Sequence, residues 1–294
     1  MTKFIMMVGL PGSGKSSWAE AQGIKVFSSD TMREEYYGDA SFQGDNNLIF
    51  ELLHKRIIEN LEAGNDSIFD ATNLNSKKRR HFLSKLTDLD VKKIAVVAAK
   101  PIEQCIENDK LRKRHVLEYV INRMRTQFQM PMLQEGFDEI KLWFDGYEVH
   151  EEYGLNYLMD KALDFDQKNS HHSLSLGGRL TVVGLACSSF SIRGLATAGL
   201  FHDIGKMKTQ SFKEGHTDAH YYEHQNVSAY DSMFILKQQG FSDIAILEIC
   251  QYINWHMYPY NIKLEKTKNR FIEFVGQEFY DNLMILHEAD KNAH

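Results

Sequence analysis

The stretch Gly9-Leu-Pro-Gly-Ser-Gly-Lys-Ser16 constrains this chain more than any other, because it fills every specified position of the pattern G-x-x-x-x-G-K-[S/T]. An apolar run, Phe4-Ile5-Met6-Met7-Val8, precedes it and reads as a buried parallel strand. Ser16-Ser17-Trp18-Ala19-Glu20 follows as the first turns of a helix. Strand, glycine loop and helix start together make an anion site, since backbone N–H groups and the positive end of the helix dipole converge there. ATP or another nucleoside triphosphate is therefore expected against Gly12, Ser13, Gly14, Lys15, Ser16 and Ser17. Lys15 would reach the β- and γ-phosphates, and the Ser16 hydroxyl would meet Mg²⁺. A glycine-rich turn that binds nothing is the poorer reading, because strand and helix flank the loop in the right order.

Short apolar segments alternate with helical patterns through the first half: Ile24–Phe27, Ser67–Phe69 and Ile94–Ala99 as strands, about 47–63 and 76–86 as helices. That alternation predicts an α/β domain over residues 1–150, a parallel sheet with helices on both faces. Ligands of such sheets sit at the carboxyl ends of the strands, so Asp30 and the segment Asp70 to Asn75 should surround the loop. From about Tyr147 strand signals fade, and apolar-periodic segments with clustered histidines predict an all-helical domain over residues 155–294.

At 294 residues, 43% hydrophobic and 25% charged, the chain has the composition of a soluble two-domain protein, and no apolar run is long enough to span a bilayer. The N-terminal apolar stretch is expected to be the loop strand and not a signal peptide. Cys105, Cys187 and Cys250 are widely spaced and lack any C-x-x-C pairing, which suits a reducing cytoplasm and no disulfide framework. A net charge of −6 excludes a protein that coats nucleic acid by bulk electrostatics but allows a local basic groove. Two basic clusters, Lys77-Lys78-Arg79-Arg80 and Lys110-Leu-Arg112-Lys113-Arg114-His115, are candidates for such a groove or for solvated helix faces.

Asp30 follows a strand in Val26-Phe27-Ser28-Ser29-Asp30-Thr31-Met32-Arg33. It could take a proton from an attacking hydroxyl or cap the next helix, and spacing alone leaves both open. Arg33, one turn on, could clamp an acceptor phosphate. The loop with Trp18, then Asp30-x-x-Arg33, then Asp70-Ala-Thr72-Asn73-Leu-Asn75 and Arg79-Arg80, resembles the bacteriophage polynucleotide 5′-kinase family over about residues 1–145. The resemblance implies that Asp30 is the general base for a nucleic acid 5′-hydroxyl. It implies too that Arg33, with Thr72 and Asn73, holds the acceptor strand near its 3′-phosphate. It further implies a helical lid, matched by Cys105 to Val116, with a catalytic arginine. The family's arginine position falls on Leu111, so Arg112 is preferred to Arg114.

Leu200-Phe201-His202-Asp203-Ile204-Gly205-Lys206 is the second motif. Adjacent His and Asp can point an imidazole and a carboxylate at one divalent metal. With His224, His256 and Asp290 following in order, the set resembles the HD phosphohydrolase superfamily over about residues 165–294. The resemblance implies His202, Asp203 and Asp290 as ligands of Mn, Fe or Ni, with His224 and His256 near a second metal or the phosphate. Arg179 stands where the superfamily has a further histidine, and arginine offers no lone pair. Three readings stay open: an incomplete and inactive site, a shell completed by His172 or water, or phosphate binding by Arg179. His171, His216 and His220 read as surface or hydrogen-bonded histidines.

The leading expectation is a nucleic acid end-healing kinase acting on RNA or DNA 5′-OH ends, whose second domain removes 2′,3′-cyclic or 3′-phosphates. The alternatives are a polynucleotide kinase with a degenerate HD module used for binding or dimerisation, giving a homo-oligomer, and a small-molecule or nucleoside kinase.

Overall fold

The structure, a computed structural model, describes residues 1–42, 44–112, 114–146, 151–168, 174–215 and 217–293. These form two compact units, Met1–Met124 with Pro131–Tyr147, and Arg125–Met130 with Glu148–His294.

The first unit runs β1 (Thr2–Val8), α1 (Lys15–Glu20), β2 (Lys25–Ser28), α2 (Ser29–Tyr37), α3 (Asn46–Glu62), β3 (Ser67–Asp70), α4 (Ser76–Leu83), β4 (Val91–Ala98), α5 (Ile102–Lys110), α6 (Glu118–Arg125) and β5 (Glu139–Trp143). Its sheet has the order β2-β3-β1-β4-β5 with every pair parallel, Ile5 standing between Ile68 and Ile94. The central place of β1 explains its unbroken apolar run, because both of its faces are covered. Phe4 and Met6 pack with Phe27, Ile49, Leu53, Phe69 and Phe82 on one face. Ile5 and Met7 pack with Ala19, Ile68, Ile94 and Val96 on the other. Strand order reverses beside β1, between β3 and β4, and the crevice at such a switch point lies beyond the carboxyl end of β1, where the glycine loop follows.

Two expectations need correction here. The sheet has a fifth strand, β5, which the sequence hides because it is a short edge strand whose Glu139 and Lys141 carry charge. Asp30 is not a helix cap: the Ser28 hydroxyl caps α2 by accepting from the Asp30 N–H at 3.2 Å, which leaves the Asp30 carboxylate in the first turn.

The second unit contains α7 (Leu155–Asp164), α8 (Leu176–Ser188), α9 (Leu195–Phe201), α10 (Lys206–Thr209), β6 (Ser211–Phe212), β7 (Ala219–His220), α11 (His224–Gln238), α12 (Asp243–Trp255), α13 (Glu265–Val275) and α14 (Gln277–Asn292). The unit is helical as expected, with one short antiparallel hairpin among the described residues, Ser211 opposite His220 and Phe212 opposite Ala219. Helices α8 and α9 cross at Gly184 and Gly199, where a Cβ on Gly199 would lie 3.2 Å from the Gly184 backbone. This unit takes in Arg125–Met130 from the stretch read as part of the first domain. Asn254 holds that segment by accepting from the Met130 N–H at 2.6 Å and donating to the Phe128 carbonyl. Arg125 pairs with Asp231. No helix among the described residues is long and apolar enough to cross a membrane.

Candidate functional site

Each unit places its own set of charged side chains. In the first, Gly12 (φ 76°) and Gly14 (φ 88°) take left-handed conformations that curl the loop into a concavity. No other residue fits at Gly12, since a Cβ there would stand 2.0 Å from the Cys105 carbonyl oxygen. Asn108 of α5 donates to the Gly12 carbonyl at 3.0 Å, so α5 buttresses the loop. Lys15 is buried and donates to the Leu10 carbonyl at 2.6 Å. Burial lowers its pKa, opposed by Asp70, Cys105 and Asp30, while Arg112 lowers it further. Asp70, Asp30 and Arg112 therefore all lie within electrostatic reach of the Lys15 ammonium. At the end of β3, Asp70 accepts a 2.6 Å hydrogen bond from the Ser16 hydroxyl. Sequence reasoning placed Asp70 near the loop but gave it no role; a carboxylate beside the loop serine is a hard-oxygen pair suited to Mg²⁺.

One turn of α2 brings Asp30 and Arg33 together, Arg33 Nη1 donating to Asp30 Oδ1 at 3.0 Å. Arg33 also donates to the Ser29 carbonyl and to Asn46 Oδ1, which fixes its otherwise buried fork. The second basic cluster divides. Arg114 Nη1 lies 2.9 Å from the same Asp30 oxygen, whereas Arg112 pairs with the buried Asp109 at 3.2 Å. Lys113 lies outside the described residues.

The Asp70–Asn75 loop supports the site from beneath. The Thr72 carbonyl accepts from the Gly9 N–H at 3.0 Å, and the Asn73 amide donates to the Met7 carbonyl at 2.8 Å. Both thereby tie the segment after β3 to the end of β1. Arg79, read from sequence within a basic cluster, is buried. It makes a bidentate pair with Glu135 at 2.7 and 2.6 Å and donates to the Asn73 and Leu74 carbonyls at 2.9 Å. Arg79 therefore clamps the loop that carries Asp70, and only its neighbours Lys77 and Lys78 are exposed.

In the second unit, His202 and Asp203 follow α9, His224 opens α11, His256 ends α12 and Asp290 lies on α14, all buried. Gly205 lets the first pair meet the third residue: a Cβ there would stand 2.3 Å from the His224 carbonyl oxygen. Each histidine bonds a carbonyl through Nδ1, His202 to Gly199, His224 to Tyr221 and His256 to Ile253, at 2.7–2.8 Å. Those bonds aim every Nε2 inward, the second-sphere arrangement by which metal-binding imidazoles are oriented. His202, Asp203 and His256 offer ligand atoms within 4.8 Å of one another. His224 Nε2 joins them, 2.9 Å from Asp203 Oδ1 and 3.3 Å from His256 Nε2.

Protein cations share this centre. Lys206 Nζ lies 2.7 Å from Asp203 Oδ2. Arg179 donates to Asp290 Oδ1 from Nη2 at 2.7 Å and from Nε at 3.2 Å, and the Tyr260 hydroxyl donates to Asp290 Oδ2 at 2.8 Å. Burial disfavours the His202 cation, but Asp203 and Asp290 outweigh it and push the imidazole up to about 10. Burial likewise disfavours the His256 cation; Asp203 only partly offsets this, and His256 drops to about 4. His171, His172 and His216 lie outside the described residues, while His220 stacks on Tyr222.

Comparison with known proteins agrees with this division. Residues 4–131 match the family model of an AAA domain and residues 171–293 that of the HD domain. The chain thus carries a P-loop kinase-type domain followed by an HD domain. No curated protein matches it significantly. Among solved structures, a chain from the structure of the Pnkp1/Rnl/Hen1 RNA repair complex is 20% identical, with 43% of each chain covered and a TM-score of 0.40. One from a second structure of the Pnkp1/Rnl/Hen1 complex is 22% identical, covering 40% of this chain and 41% of that one, TM-score 0.34. A gluconokinase from Sinorhizobium meliloti 1021 is 15% identical, covering 50% of this chain and 84% of that one, TM-score 0.35. The present chain spans less than half the length of the two repair-complex chains it matches.

Proposed function

We propose that the first unit is a polynucleotide 5′-hydroxyl kinase, transferring the γ-phosphate of a nucleoside triphosphate to RNA or DNA ends. The observation that carries this reading is the Asp30 carboxylate held at one oxygen by Arg33 and Arg114, within electrostatic reach of Lys15. Phosphoryl transfer asks for positioning and charge stabilisation more than covalent chemistry. Asp30 accepts the proton of the attacking hydroxyl, whose oxygen bonds to the γ-phosphorus while the bond to the β,γ-bridging oxygen breaks and the nucleoside diphosphate leaves. Arg33 offers its fork to a phosphate next to that hydroxyl, which a polynucleotide end supplies and a free nucleoside does not. Lys15 moves from the Leu10 carbonyl to the nucleotide phosphates. Ser16 and Asp70 would hold Mg²⁺, which when bound neutralises phosphate charge. Arg112 or Arg114, both on the segment after α5, stabilises the charge that spreads over the transferring group.

The HD unit supports a second activity of the same class of end repair, hydrolysis of 2′,3′-cyclic or 3′-phosphates. The inward-facing imidazoles and Asp203 fit a divalent transition metal, which when bound activates water. Asp203, His224 and His256 would hold it, while His202 faces Asp290, which Arg179 already engages.

The test is incubation with γ-labelled ATP and a panel of 5′-OH RNA, 5′-OH DNA, nucleoside 3′-monophosphates and nucleosides. Label on oligonucleotides and 3′-monophosphates, with affinity that falls as salt rises, is the expected result. Label on nucleosides alone, or on none of the panel, would remove the polynucleotide reading.

A further inference from the structure

Building on the reading of the second unit as a metal-dependent centre, we propose that it is a one-ion site. In this arrangement Asp203, His224 and His256 hold the cation, and the Arg179 guanidinium takes the place of an ion at the Asp290 end.

The two ends of the centre differ in what already fills them. Around Asp203 Oδ1 stand His224 Nε2 at 2.9 Å and His256 Nε2 at 3.5 Å, and the two nitrogens are 3.3 Å apart. For octahedral or tetrahedral shells with bonds of about 2.0–2.2 Å, neighbouring ligand atoms lie about 2.8–3.6 Å from one another. The triangle of one carboxylate oxygen and two imidazole nitrogens is of that size. Lys206 Nζ approaches Asp203 from the other side, 2.7 Å from Oδ2. The chemistry of the set, two imidazoles and one carboxylate, suits Mn²⁺, Fe²⁺, Ni²⁺ or Zn²⁺.

At the other end both oxygens of Asp290 are engaged by donors. Oδ1 takes Arg179 Nη2 and Nε and faces His202 Nε2 at 2.9 Å, and Oδ2 takes the Tyr260 hydroxyl. Arg179 and Asp290 side chains are each only 6% exposed, so this is a desolvated ion pair. An ion there would have to displace a buried guanidinium, which stays charged and has nowhere in the interior to discharge. Arg179 is in this sense the resident cation of the Asp290 end, and that end is offered to anions through the guanidinium and not to metals.

The experiment is metal analysis of the full chain in an Asp70→Asn background, loaded with excess Mn²⁺ without nucleotide, desalted, and read by elemental analysis and electron paramagnetic resonance. One Mn²⁺ per chain with the spectrum of an isolated ion is expected. His224→Ala and His256→Ala should each weaken Mn²⁺ binding at least about tenfold, since loss even of an outer partner of a ligand costs that much. Asp290→Asn should keep the ion, and Arg179→His should admit a second, exchange-coupled one. If Asp290→Asn unfolds, the Arg179→Met/Asp290→Leu double variant removes the pair whole and serves instead. Two ions in the wild type, or an ion lost in Asp290→Asn or in that double variant while kept in His224→Ala, would overturn the one-ion arrangement. Absence of any retained ion would overturn it together with the metal-centre reading.

Discussion

Replacing Arg79 by Met separates a structural clamp from a phosphate-binding basic residue. In the wild type both side chains of the Arg79–Glu135 pair are fully buried, and the guanidinium also satisfies the carbonyls of Asn73 and Leu74. Removing one partner of a buried pair costs about 3–5 kcal/mol, because the remaining carboxylate keeps its desolvation penalty. Each carbonyl left without a donor adds about 1–3 kcal/mol unless water reaches it. These contributions share one network and do not sum fully, so a loss of at least about 4 kcal/mol is expected. Measured against a domain stability of about 5–15 kcal/mol, that is a large fraction. The exposed neighbours set the contrast: Lys77→Ala and Lys78→Ala should stay within about 0.5 kcal/mol of the wild type. The Arg79→Met/Glu135→Leu double variant should regain much of the loss, since an apolar pair of similar volume replaces buried charges at little cost. Urea titration with hydrogen exchange read on β1 and β4 amides reports the first unit separately from the second. An Arg79→Met midpoint indistinguishable from that of Lys78→Ala would refute the clamp and restore Arg79 to the surface cluster.

Gly12→Ala should abolish nucleotide binding, measured by titration calorimetry, because the new methyl meets the Cys105 carbonyl at 2.0 Å in a left-handed conformation. Gly205→Ala should cut Mn²⁺ retention by the second unit, since the added carbon displaces the start of α11 and with it His224. His54 is stacked on Phe82 at 4.2 Å; burial, then Lys85 and His81, lower its pKa from 6.5 to about 4. The folded state therefore binds that proton less readily than the unfolded one, and the first unit should lose stability as pH falls from about 6.5 toward 4. His54→Phe should flatten that part of the urea midpoint–pH curve; an unchanged slope would remove His54 as its source.

Much of the first unit is legible in the sequence because its signals are local. The apolar run of β1, the glycine loop and the Asp30-x-x-Arg33 spacing each fix a piece of structure within a few residues. What the sequence hides is contact between distant segments. Nothing in Lys77-Lys78-Arg79-Arg80 distinguishes the buried Arg79 from the exposed lysines until Glu135, 56 residues further along the chain, meets it in the fold. Asp70 gains its place from Ser16 across two strands, and β5 is too short and too charged to show periodicity. The choice between Arg112 and Arg114 has the same character. Spacing along the chain favours Arg112, while the packing of the segment after α5 brings Arg114 onto Asp30 and Arg112 onto Asp109. In the HD unit the order of His202, Asp203, His224, His256 and Asp290 marks the site. The pairing of Arg179 with Asp290 comes from helices α8 and α14 meeting and could be read only in three dimensions.

The central claim, that Asp30 activates a polynucleotide 5′-hydroxyl, is tested most directly by transfer of labelled γ-phosphate to a 5′-OH oligonucleotide by the wild type and by Asp30→Asn. The account predicts 5′-end labelling by the wild type and a loss of at least about 10²-fold in turnover for Asp30→Asn, with ATP affinity retained. Undiminished turnover in Asp30→Asn, or transfer to no polynucleotide end by the wild type, would contradict it.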